Sequence, residues 1–431
     1  MEGYMTRLPG GVQDRLAGEA RALRAAQERL LLLFTTWGYQ EIATPTFEFL
    51  EVFDDGRGFP RENLYKFFDQ RGRILALRPD MTMPVARLVA TRLQDETMPL
   101  RLAYAAAVYR QNGEGRGESH EIHQAGGELI GLAPPWGDAE ILCLAREACQ
   151  TLEMEDYYIS LGHVGFFAGL AEEAALTEKE MVVLKDSLSS RDFVSYASQL
   201  ETMKRSGRRI GPLSELPFLR GRPEEVLKRA GDGCGNSKAR QALEEVRGIW
   251  EAMRTFDPEV RLLLDLGLLR RPAYYTGAVF EGYAPSLGRP ILGGGRYDQL
   301  LSSFGLERPA VGFGLILDDL LPRLVQPADL ALNYLLVAAS AQSAQAQRRA
   351  RSLREKGYSV VVHIATSRFV GNDAGFLSDE LTSLIKARRP EKVLYLEESG
   401  IRDLSGLWTK SRSPGKVGGE RQAPAAADGI H

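Results

Sequence analysis

The 431 residues are 44% hydrophobic and 26% charged, the composition of a globular protein with material for two or three domains. A formal net charge of -3 provides no footprint for a polyanion, so no nucleic-acid partner is expected, tRNA included. No apolar run reaches the ~20 residues of a membrane span and no basic stretch leads into an apolar segment as in a secretory signal, so the expected location is cytoplasmic, with no membrane contact. Cys143, Cys149 and Cys234 make neither a disulfide framework nor a CxxC pattern, and read as thiols of a reducing compartment.

Along the chain, Ala22, Ala26, Leu30, Leu33 and Trp37 recur at helical spacing within Leu16 to Trp37, and Gly38 supplies the stop. Tyr39 to Ala43 reads as a strand ended by Thr44 and Pro45. Leu64 to Phe68 and Ile74 to Leu77 read as a hairpin around Asp69 to Arg73, and a helix follows over Met83 to Leu93. Between Ala103 and Leu132 two strands are expected around the loop Asn112 to Gly117, with Gln124, Gly126 and Glu128 on one face. From about 166 to 256 the pattern becomes a helical insertion that includes Glu224 to Ala230 and Lys238 to Met253. Strand character returns at Arg261 to Leu266, Tyr274 to Tyr283 and Arg289 to Leu292, and Gly293 to Gly295 reads as a tight turn into a helix near Asp298 to Phe304. A boundary is expected near Pro327, ending a core of residues 1–327. Tyr334 to Ala338, Ala344 to Lys356 and Ser359 to His363 then form a β-α-β unit of a small α/β domain, 328–411. The polar residues 412–431 have too little apolar surface to offset ordering entropy and are expected to be disordered. Strands enclosing a helical block predict an α+β fold with a mainly antiparallel core sheet.

Local motifs alone name no enzyme. GGGRYD at Gly293 to Asp298 lacks phosphate-loop spacing, and there is no GxSxG elbow. His120 and His123, three apart on a strand, point to opposite faces, so no metal site is expected, and no catalytic residue or cofactor is assigned. In LRPDMTMPVAR, Asp80 or Thr82 serves either as a helix cap before Pro84 or as an acceptor for a ligand ammonium. Glu128 reads alone as an edge carboxylate, and Tyr274 and Tyr275 as sheet aromatics.

In combination these segments carry more. GYQEIATPTFE, LRPDMT, VYR followed by HQAGGELIG, YYTGAVFEGY, GGGRYDQLLSSFG and PAVGFG together resemble the catalytic core of histidyl-tRNA synthetase, a class II synthetase, over about residues 5–325. The resemblance implies an antiparallel sheet flanked by helices with a helical insertion. It also implies a histidine pocket. Asp80 and Thr82 match the ammonium-binding positions, and Gln124 and Glu128 match the HQxGxE segment. Tyr275, beside Tyr274, matches the aromatic that reads imidazole with that glutamate. Arg270 aligns with the arginine before YYTG, with Arg271 able to take the role after a one-residue shift. Arg110 retains the arginine of the second class motif, completing a histidine-binding set of Asp80, Thr82, Arg110, Gln124, Glu128, Arg270, Tyr274 and Tyr275.

The departures fall on the nucleotide side. Asn112 replaces a glutamate of the second motif, Pro272 and Ala273 alter the segment before YYTG, and Asp319 stands where class II synthetases place an arginine against ATP phosphates. A carboxylate there repels a nucleotide. A kept amino-acid pocket beside an impaired nucleotide side looks like the regulatory-subunit family of ATP phosphoribosyltransferase, a glycosyltransferase of histidine biosynthesis. That resemblance implies a non-catalytic homodimer within a hetero-oligomer, a short-form catalytic subunit as partner, and histidine as feedback effector. A divergent histidyl-tRNA synthetase is the alternative.

Overall fold

The computed structural model describes residues 6–54, 58–111, 119–205, 207–208, 210–232, 234–258, 260–270, 272–324, 332–365, 379–398 and 400–405. Asn112, Arg271, Pro327 and the tail 412–431 lie outside them. The chain forms two compact units, Met1–Val325 and Gln326–His431.

The first unit opens with helix α1 (Ala17–Thr36), whose buried Ala22, Leu23, Ala26, Leu30, Leu33 and Phe34 form one apolar stripe. Gly38 at φ +81° turns the chain out of it. Next come β1 (Gln40–Glu41), β2 (Phe47–Phe49), β3 (Lys66–Phe68), β4 (Ile74–Leu77), α2 (Thr82–Arg92), β5 (Leu100–Tyr109), β6 (Glu121–Ile130), α3 (Trp136–Thr151) and β7 (Tyr158–His163). The insertion contributes α4 (Val164–Glu173), α5 (Glu178–Ser189), α6 (Phe193–Arg205), α7 (Gly211–Glu215), the two-residue β8 (Arg220–Gly221), α8 (Pro223–Asp232) and α9 (Ser237–Phe256). β9 (Leu263–Asp265), β10 (Ala278–Tyr283), β11 (Pro290–Arg296), β12 (Ala310–Ile316) and the short α10 (Leu321–Leu324) complete the unit.

Nine strands form one sheet in the order β1-β5-β6-β12-β11-β10-β7-β9-β8. Its interior pairings are antiparallel, and only β1 with β5 and β7 with β9 run parallel. The α+β architecture is therefore the one expected. One face packs α1, α3 and α9 through Phe34, Leu129, Leu142 and Val246. The other packs α2 and the small sheet β2-β4-β3 through Ala76, Met83, Tyr104 and Tyr297. In the hairpin, Asp69 Oδ1 accepts from the Arg71 and Arg73 amides at 2.8 and 2.9 Å, which is how the DQRGR segment closes.

Three expectations need correction. Gly293 to Gly295 are not a turn: they lie inside β11, where Gly293 pairs with Gly314 and Gly295 with Gly312. The glycines are required by close packing above the strand rather than by a bend. The strand read over Tyr274 to Tyr283 begins only at Ala278, because Tyr274 and Tyr275 turn away from the ladder toward a cleft. The helix near Asp298 to Phe304 is a single 3-10 turn, Leu301–Phe304.

The second unit has a four-stranded sheet in the order β14-β13-β15-β16, made of β13 (Tyr334–Ala339), β14 (Val360–Ala365), β15 (Lys392–Glu397) and β16 (Gly400–Asp403), with α11 (Ser343–Arg354) and α12 (Asp379–Arg388). β13 runs parallel to β14 and β15. No described helix is long and apolar enough to cross a membrane.

Candidate functional site

On the α2 face of the main sheet a cleft of about 320 Å³ is lined by Asp80, Thr82, Tyr104, Arg110, Gln124, Arg270, Tyr274 and Tyr275, with Glu281, Arg289, Asp318 and Asp319 at its outer side. Its floor is a patch of glycines on adjacent strands. A Cβ at Gly293 would collide with the Arg270 guanidinium, and one at Gly312 with the Glu128 carboxylate. A Cβ at Gly295 would lie 2.8 Å from the Tyr275 ring, and one at Gly314 would lie 3.4 Å from Gln124 Oε1. Bare backbone lets large polar side chains lie flat on the sheet.

Asp80 Oδ1 accepts from the Met83 amide at 3.2 Å and Oδ2 from the Tyr274 hydroxyl at 3.1 Å. Asp80 thus serves the start of α2 through one oxygen while its side chain lines the cleft. Burial, reinforced by Asp80, pushes the Tyr274 phenol well above its usual range. Thr82 Oγ1 donates to Glu128 Oε1 at 2.9 Å, and the Tyr297 hydroxyl donates to Glu128 Oε2 at 2.5 Å. Glu128 has no solvent exposure. Burial lifts its carboxyl to about 8 against the hydrogen bonds from Tyr297 and Thr82, with the Asp80 charge adding to the rise.

Arg270 Nη1 donates to Glu281 Oε1 at 2.6 Å, and Tyr275 lies against the guanidinium. Its buried Nε has no hydrogen-bond partner, which leaves a donor for a ligand anion. Tyr274 and Tyr275 pack with ring centroids 4.8 Å apart. Arg110 Nε donates to the Pro79 carbonyl at 2.8 Å, and its guanidinium lies 4.9 Å from the Phe59 ring centroid. Burial lowers its pKa, with the nearby Asp80 charge opposing that shift.

Seven of the eight residues nominated from the sequence therefore meet around one cleft. The eighth, Glu128, lies one layer beneath, behind Thr82. The outer side adds what sequence reasoning missed. Asp319 is no bare charge, since it forms an ion pair with Arg289, and Asp318 pairs with Arg15. Asp318 also accepts from the His123 amide at 2.6 Å and contacts His123 Nδ1 at 3.2 Å. His120 meets the Tyr65 hydroxyl at 2.5 Å instead, so the two histidines serve different contacts. Glu281 was detectable only as a carboxylate on an otherwise apolar strand. No group of three metal-ligating side chains occurs among the described residues. With carboxylate and hydroxyl acceptors and an arginine donor in one cleft, the lining suits a small zwitterion.

The histidyl-tRNA synthetase family model matches residues 11–320. An ATP phosphoribosyltransferase regulatory subunit of Moorella thermoacetica is 44% identical over 358 residues, covering 82% of this chain and 91% of that one. A regulatory subunit of the same name from Symbiobacterium thermophilum is 40% identical over 395 residues, covering 90% and 96%. A solved structure described as an ATP phosphoribosyltransferase regulatory subunit/histidyl-tRNA synthetase from Bacillus halodurans C is 30% identical with a TM-score of 0.77, covering 91% of this chain and 99% of that one. Histidyl-tRNA synthetase from Nostoc sp. PCC 7120, at 19% identity and a TM-score of 0.72 over 93% and 95%, shares the fold. The chain belongs to the ATP phosphoribosyltransferase regulatory-subunit family, built on the class II histidyl-tRNA synthetase fold.

Proposed function

We propose that this subunit binds free histidine in the cleft, forms no histidyl-adenylate, and uses occupancy of the cleft to adjust a short catalytic ATP phosphoribosyltransferase chain with which it assembles in the cytoplasm as a homodimer within a hetero-oligomer. The observation that carries the reading is the polarity of the cleft. Asp80 and Thr82 share the cleft with the unsatisfied Nε of Arg270, acceptors for an ammonium beside a donor for a carboxylate on one small ligand. Gln124 and Tyr275 also line the cleft and would face the imidazole in this reading, with Glu128 fixing Thr82 through its hydrogen bond. On the outer side Arg289 is already neutralised by Asp319, so phosphate binding there forfeits a cation. No cofactor or metal is invoked, and the transfer chemistry belongs to the partner.

Calorimetry should give one histidine per chain, and Asp80→Asn should weaken it at least about tenfold, since a charge-assisted contact contributes about 1.5 to 3 kcal/mol. A divergent histidyl-tRNA synthetase is the second reading, favoured by Arg110, the retained second-motif arginine, which lines the cleft. Histidine-dependent exchange between pyrophosphate and ATP separates the two. Exchange at background supports the regulatory reading, and robust exchange by protein free of host synthetase overturns it.

A further inference from the structure

The Arg270 guanidinium is not held by the cleft alone. Its partner Glu281 lies on β10 and lines two cavities, the cleft described above and a neighbouring groove of about 790 Å³ between the sheet and the helical insertion. The second oxygen of Glu281 accepts from the Tyr283 hydroxyl. Two residues apart on one strand, the two side chains share a face. Tyr283 is gripped on both sides. Its ring stacks on Tyr158 at 5.4 Å and 18°, and the Arg191 guanidinium lies 5.4 Å from its centroid while Arg191 Nη2 donates to its hydroxyl at 2.8 Å. Arg191 occupies the turn between α5 and α6 at φ +57°. Ser189 Oγ, at the end of α5, donates at 3.4 Å to the carbonyl of Leu269, the residue before Arg270. Four consecutive side chains, Arg270, Glu281, Tyr283 and Arg191, thus run from the cleft to the insertion by direct polar contact.

We propose that Glu281 and Tyr283 are positioning residues that hold Arg270 from behind and tie it to the turn at Arg191, so that a ligand carboxylate on Arg270 is felt by the helical insertion. The inference rests on the cleft being a histidine site. A carboxylate arriving at Arg270 places a second negative charge beside Glu281 and takes a share of the guanidinium. Glu281 then relies more on the Tyr283 hydroxyl, and Tyr283 in turn on Arg191. The turn between α5 and α6 tightens when a carboxylate is bound and is indifferent to a ligand that lacks one. This is a coupling between sites in the thermodynamic sense, because the ligand group interacts differently with two states of one contact chain.

Hydrogen exchange on the full chain, read on amides from Ser189 to Ser195, tests it with histidine and with histidinol, which replaces the carboxylate by an alcohol. Saturating histidine should slow exchange there at least about fivefold, the lower end of typical coupling, and histidinol should leave it unchanged. Tyr283→Phe keeps the ring and removes the hydroxyl. In that variant the ligand-free turn should exchange faster than in the parent, and histidine, still binding by calorimetry, should no longer slow it. Histidine heat without any change at Ser189 to Ser195, an equal response to histidinol, or an undiminished response in Tyr283→Phe each overturns the relay while leaving the histidine site standing. Absence of histidine heat in the parent chain overturns the site reading and the relay together.

Discussion

Glu128→Gln isolates one buried charge, and the structure sets its consequence. The carboxyl is fully buried, faces Asp80, Tyr104, Tyr274 and Tyr297, and has no cationic partner among the described residues, so its pKa moves from 4.5 to about 8. In the unfolded chain it ionises near its ordinary value. Between about pH 4.5 and 8 the native state therefore keeps a proton that the unfolded state releases, and stability falls by about 1.4 kcal/mol per pH unit as the pH rises. The stabilising contribution is intact below the unfolded pKa and is lost by the time the pH passes the folded one, a span of about 5 kcal/mol in all. Glutamine suits the site, because both partners, Thr82 and Tyr297, are hydroxyls that can donate or accept. Urea unfolding at about pH 5.5, 6.5 and 7.5 should show the variant gaining on the parent by about 1.4 kcal/mol per unit. Parallel pH profiles would mean that Glu128 is ionised in the native protein and would refute the reasoning.

Further outcomes follow from the glycine floor, the interior ion pair and the first helix. Gly293→Ala drives a methyl group into the Arg270 guanidinium and should weaken histidine about tenfold by calorimetry, a loss of about 1.4 kcal/mol; unchanged affinity would remove Arg270 from the site. Asp138→Asn takes the charge from a pair in which Asp138 and Arg296 are 1% and 2% exposed and should cost about 3 kcal/mol or more in urea unfolding, with a neutral result excluding that role. Leu16 just before α1 and Leu32 on it are 76% and 68% exposed, and α1 with the strand after it should form the homodimer contact; light scattering that finds only the 47.7 kDa monomer at micromolar concentration counts against it.

Local signals made α1, the β3-β4 hairpin and the β5-β6 pair legible: an apolar stripe, an Asp-anchored turn, and strand-like composition around a glycine-rich loop. The cleft was legible only through the ordered resemblance, since Asp80, Gln124, Arg270 and Tyr275 are far apart in the chain and meet only where loops bring three of them over the glycine-floored sheet. The misreading of Gly293 to Gly295 has a physical cause. A glycine run signals equally a bend and a place where something lies close on a strand, and only the positions of Arg270, Tyr275 and Phe280 separate the two. Arg289 escaped notice for a related reason: a carboxylate such as Asp319 reads as a bare charge until a cation from the turn between β10 and β11 is placed against it.

Histidine in this cleft is proposed to govern a catalytic partner. This control is tested most directly by assaying a short catalytic ATP phosphoribosyltransferase chain alone, with this subunit, and with its Asp80→Asn variant, over a range of histidine concentrations. The assembled complex should be active and lose activity as histidine rises, and Asp80→Asn should shift this response at least about tenfold to higher histidine. A catalytic chain equally active and equally histidine-sensitive by itself, or an Asp80→Asn complex with the parent's histidine response, contradicts it.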